Sequence, residues 1–164
     1  MPFILALFFG GFSAAFALIL ELAAFTLFAD PNAPLNTPFG GNILTFAVGF
    51  SLVLAAIIEE ASKLLFIRQF FVRYGNTFSR NKSALLLPLF FGIGFALPET
   101  LLAINLSTFS FWILGSITLH ILTVSILFLS LWRSLEPRSL FFWGALFLVT
   151  LLHILYNFTL FSLA

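Results

Sequence analysis

The chain has 164 residues, of which 62% are hydrophobic and 8% charged, with 25 phenylalanines, no cysteine and a net charge of +1. Its mean hydropathy is +1.17, and a soluble domain of this composition would expose apolar patches that water does not tolerate, so the surroundings are lipid. The few Lys and Arg sit in short clusters and form no basic face, which excludes nucleic acid as a partner, and the lack of cysteine excludes a disulfide framework, a thiolate metal site and a cysteine nucleophile.

Apolar runs of about 20 residues predict membrane helices. They fall at Phe3 to Ala29, Ile43 to about Val72, Ala84 to Leu106, Phe109 to Trp132 and Leu140 to Leu163. The expected fold is all-α, a polytopic integral membrane bundle of about five transmembrane helices forming one domain over residues 1–164. The first run has no basic flank and no polar mature domain after it, so it reads as a membrane helix despite the cleavage-like Ala15-Phe16-Ala17. The link from Asp30 to Asn42 holds three prolines and two glycines and no Lys or Arg. Arg73, Arg80 and Lys82 mark the second link, with Arg68 just before it, and Arg133 and Arg138 mark the fourth. Basic residues at alternate links put the second and fourth links and the N-terminus in the cytoplasm, and the C-terminus outside.

Ionisable groups within apolar spans are costly and mark functional sites. The first span carries Glu21, which is either a group near the outer interface or a support for such a site. The second carries Glu59-Glu60-x-x-Lys63, in which Lys63 is within reach of both carboxylates at i,i+4 and i,i+3, so it neutralises one and leaves the other available. The third carries Gly92-Ile93-Gly94-Phe95-Ala96-Leu97-Pro98-Glu99. Its glycines admit a neighbouring backbone, and Pro98 cannot donate to the Gly94 carbonyl, so a kink with a freed carbonyl beside Glu99 is expected. The fourth carries His120. The fifth carries His153 and Asn157, four residues apart on one face, where an imidazole and an amide can address one substrate oxygen.

Counted from the cytoplasmic ends at about 1.5 Å per residue, Glu59 and His120 lie roughly 20 Å deep, His153 roughly 22 Å and Glu99 roughly 24 Å. Four separate helices therefore bring polar groups to one layer. The second helix must continue past Lys63 and Arg68 to reach about 45 Å, with tilt, snorkelling or projection beyond the bilayer absorbing the excess.

The order Glu-Glu-x-x-Lys, Phe-x-x-x-Glu, His, His-x-x-x-Asn, each on its own membrane helix, resembles the PrsW family of intramembrane proteases. That family belongs with the group that contains the CAAX prenyl proteases and bacteriocin-immunity proteins. The CAAX pattern has Arg one residue further on and His at the place of Glu99, so Lys63 and Glu99 put this sequence on the PrsW side. The resemblance spans Ile57 to Asn157. It implies hydrolysis of a membrane-anchored protein or peptide, typically in a prokaryotic plasma membrane and of a regulatory protein such as an anti-sigma factor. By analogy with the CAAX group the base is Glu59 and the partner of Lys63 is Glu60, with the reverse assignment open. Glu99 would orient water or bind metal, and His153 with Asn157 would stabilise the oxyanion. Glu99, His120 and His153 have the ligand types of a catalytic zinc site, so zinc or another divalent metal is a candidate cofactor, alongside metal-free carboxylate catalysis.

Two other classes share these features. A proton or cation transporter would also bury Glu and His but would show inverted repeats, which the sequence lacks. A non-catalytic scaffold binding membrane peptides is the other.

Overall fold

A computed structural model of the protein describes residues 2–28, 41–78, 86–104, 111–133 and 140–163. The described residues are helical throughout and form α1 (Pro2–Phe28), α2 (Gly41–Phe78), α3 (Leu87–Ile104), α4 (Phe111–Arg133) and α5 (Leu140–Leu163). Residues 30–40 of the proline-rich link and the basic residues Arg80, Lys82 and Arg138, on which the expected orientation rests, lie outside the described residues, while Gly41 and Asn42 of that link begin α2.

Each helix follows from a largely apolar run, in which backbone groups satisfy one another because lipid offers them no partner. α5 begins and ends at the expected residues, and α2 departs most, running on from Val72 to Phe78. The sequence Arg73-Tyr74-Gly75-Asn76 reads as the start of a loop, yet Tyr74 packs its ring 5.3 Å from Phe70 and 6.2 Å from Phe9 of α1. That aromatic packing carries the helix beyond the apolar run. At 38 residues α2 is roughly 57 Å long, well beyond a bilayer core of about 30 Å, so it tilts or projects. α1, α4 and α5 are long and apolar enough to cross a membrane by length and composition, while α3 offers the shorter apolar stretch Leu87–Leu101.

Neighbouring helices close a ring in the order α1, α3, α4, α5, α2, and α2 also touches α4 across it. The dry core fills one half of the ring. It is built from Ala6, Leu87, Phe91, Phe142 and Val149 near the starts of α1, α3 and α5, and from Ile67, Phe70, Leu127, Phe128 and Leu131 toward the ends of α2 and α4. Starts meeting ends is what helices of alternating direction require. The outer surface is apolar too, with Leu27, Phe147 and Leu22 among the most exposed side chains, whereas Ser13, Glu60, Ser62, Lys63, His120, Thr123, Ser130 and His153 are buried. A polar interior inside an apolar coat suits lipid and not water.

α3 is fixed between its neighbours by its two glycines, which lie on opposite sides of the helix. A Cβ on Gly94 would strike the backbone carbonyl of Leu7 in α1, and one on Gly92 would come within 2.7 Å of Ile121 Cα in α4. Gly10 makes the reciprocal approach, lying directly against the Phe91 carbonyl. α3 stays helical through Pro98, and the Gly94 carbonyl that Pro98 leaves free lies toward Gly11 of α1. Gly94→Ala is expected to destabilise the detergent-solubilised protein by about 1–3 kcal/mol through overpacking. Gly144→Ala, whose Cβ would meet nothing within 4 Å, serves as the control, and equal thermal unfolding of the two variants would contradict the crossing.

Candidate active site

Consecutive residues of a helix point about 100° apart, so Glu59 and Glu60 of α2 meet different sides of the site, one on each side of the His153 ring. Glu60 is wholly buried, and its Oε1 accepts from Lys63 Nζ at 2.5 Å and from His153 Nδ1 of α5 at 2.7 Å. Lys63, equally buried, also donates to Thr123 Oγ1 of α4 at 3.3 Å and stands 4.5 Å from the centre of the Phe95 ring of α3. One ammonium thus ties α3 and α4 to α2, and its charge is spent on Glu60.

Glu59 faces the other way, into a cavity of about 220 Å³ lined also by Glu99, Thr100, Ile113, Ser116, His120, His153, Tyr156, Asn157 and Leu160. The Glu99 carboxylate accepts from His120 Nε2 at 2.7 Å and from Ser116 Oγ at 3.2 Å. The two imidazoles lie 5.5 Å apart, centre to centre and nearly perpendicular, and Phe95 stacks against His120 at 4.9 Å.

A carboxylate only accepts, so the nitrogens facing Glu60 and Glu99 carry the protons: Nδ1 of His153 and Nε2 of His120. Their opposite nitrogens keep lone pairs. His153 Nε2 lies 3.6 Å from Glu59 Oε2, while His120 Nδ1 and Glu59 Oε2 are buried without a hydrogen-bond partner among the described residues. Glu59, His120 and His153 each offer a ligand atom within 4.8 Å of the other two. These donors fit a catalytic zinc: nitrogen and oxygen ligands, three in number, with both histidines braced from behind by carboxylates. The sequence reading grouped Glu99 with the histidines; Glu99 is hydrogen-bonded to His120, and Glu59 is the carboxylate with an oxygen within 4.8 Å of a nitrogen of each imidazole.

All the residues singled out from sequence meet at this place: Glu59, Glu99, His120, His153 and Asn157 on the cavity wall, with Glu60 and Lys63 directly behind it. Glu21 of α1 lines a smaller neighbouring cavity with Glu59 and Glu99. Sequence reasoning passed over Ser116 and Thr123, which flank His120 at i−4 and i+3 and make one polar face of α4; that periodicity was the available signal. It also passed over Tyr156, whose hydroxyl reaches into space left by Gly115, where a Cβ would come within 2.9 Å of it.

An apolar-coated ring of helices, four of which turn Glu and His side chains onto one interior cavity, defines an integral membrane protein with a polar intramembrane site. A family model described as PrsW family intramembrane metalloprotease matches residues 2–164. The chain belongs to that family and is an intramembrane protease. No curated protein and no solved structure matches it.

Proposed function

We propose that this protein hydrolyses a peptide bond of a membrane-anchored protein, with Glu59 as general base. The observation that supports this most is the division of labour between the two adjacent glutamates: Lys63 and His153 occupy Glu60, while Glu59 opens on the cavity. Glu59 takes a proton from water as the oxygen attacks the carbonyl carbon, and returns it to the departing amine as the C–N bond breaks. The Asn157 amide donates to the oxyanion. Glu60 and Glu99 hold the imidazoles in register, and Lys63 holds Glu60 in place. A regulatory substrate such as an anti-sigma factor, in a prokaryotic plasma membrane with the C-terminus outside, fits this reading.

Glu59, His120 and His153 are the residues that would hold a divalent metal, zinc by their ligand types. When bound, the ion supplies Lewis acidity that polarises the carbonyl and makes water more acidic. Glu59 would offer such an ion one carboxylate oxygen, and its role as base would fall to the other. Purified protein is expected to carry about one zinc per chain, and a chelator to abolish cleavage reversibly. His120→Ala and His153→Ala should each lose the metal. Full activity in the presence of chelator would leave carboxylate catalysis without metal.

A further inference from the structure

Between α1 and α3, next to the main cavity, lies a second space of about 40 Å³ whose walls include Glu21, Glu59, Glu99, Ala14, Ala17 and Pro98. A water molecule needs roughly 10–15 Å³ of such space, so about three fit. Ala14, Ala17 and Glu21 stand at i, i+3 and i+7 on one face of α1. Ala17 is 2% exposed, while Leu20 and Leu22 on either side of Glu21 are 39% and 66% exposed, so this face turns inward and its flanks turn to lipid.

Three carboxylates around one small space need donors, and the nearby donors are committed. Lys63 and His153 serve Glu60, and His120 serves Glu99. Glu59 Oε2 has no hydrogen-bond partner among the described residues, and the ion pairs among those residues involve Glu59, Glu60 and Glu99 but not Glu21. Leaving such groups bare in an apolar setting is costly, and water is the donor that fits the space. We propose that this cavity holds the water consumed in hydrolysis and that Glu21 is its positioning residue, linking Glu59 to the C-terminal ends of α1 and α3. The alanines keep the space open. The role in catalysis rests on the protease reading above; the hydration of the cavity does not.

The chain has no cysteine, so Ala17→Cys gives a unique S–H infrared band in protein reconstituted in vesicles. Transfer to D2O should shift that band promptly, whereas Ile19→Cys, at a position 65% exposed to lipid, should exchange far more slowly. Equally slow exchange at both positions overturns the hydrated cavity. In cleavage of a reporter with one apolar transmembrane helix, Glu21→Leu should lower kcat by about 10- to 100-fold with KM unchanged. Glu21→Gln, which still bonds water, should restore most of the rate. Ala17→Leu should match Glu21→Leu, and the double variant should be no worse than either. Wild-type kcat in Glu21→Leu, or a loss in Glu21→Gln as large as in Glu21→Leu, overturns the positioning role. Glu59→Gln in the same assay separates the readings: prompt Ala17→Cys exchange with fully active Glu59→Gln refutes Glu59 as the base and with it the catalytic part of this proposal, whereas inactive Glu59→Gln with slow exchange refutes the water cavity alone.

Discussion

Glu59→Gln is expected to reduce cleavage of a membrane-anchored reporter by about 100- to 10,000-fold while the protein folds as before. Gln preserves shape and much of the hydrogen bonding but cannot take a proton at pH 7. The fold should survive because Glu59 carries no structural pair comparable to that of its neighbour: it stands 3.6 Å from His153 Nε2, against the close hydrogen bonds that Glu60 receives from Lys63 and His153. Steady-state rates beside thermal unfolding of the same preparation check both halves. A Glu59→Gln variant that cleaves normally, or one that loses activity only because it unfolds, contradicts the assignment of the base.

The second large effect falls on stability. Lys63→Met leaves the Glu60 carboxylate at the centre of the bundle without its ammonium, and removing one partner of a buried ion pair costs about 3–5 kcal/mol. Thermal unfolding in detergent should show it plainly. Pairing Lys63→Met with Glu60→Gln removes both charges and should recover most of the loss, since neutral groups of similar size tolerate burial far better than one stranded charge. The Gln carbonyl can still accept from His153 Nδ1. If Lys63→Met alone unfolds like the wild-type protein, or if the double variant is no better than Lys63→Met, the pair does not hold the helices as described.

Much of this arrangement is legible in the sequence because two regularities govern membrane helices: length follows apolar runs, and depth follows rise per residue. Those rules locate five helices and bring Glu59, Glu99, His120 and His153 to one layer, and the structure lines one cavity with all four. Rotation about the helix axis is harder to read. Depth alone does not reveal that Glu60 stands behind His153 and Glu99 behind His120, nor that Glu59 is the carboxylate grouped with the two imidazoles. The extension of α2 to Phe78 was hidden for a related reason, since Tyr74 gains its packing from Phe9 on another helix. Glu21 was ambiguous because its neighbours along the chain are all apolar, and only the approach of α3 gives its carboxylate a shared wall with Glu59 and Glu99.

The central claim is that side chains from four helices act together to add water to a peptide bond within or beside the membrane. The most direct measurement is mass spectrometry of a single-span reporter after incubation in H2(18)O with the purified protein in vesicles. The account predicts a cut within or beside the reporter's apolar segment, one heavy oxygen in the new carboxylate, and no product from Glu59→Gln or His153→Ala. An intact reporter, or the same labelled product at the same rate from wild type and both variants, would contradict it.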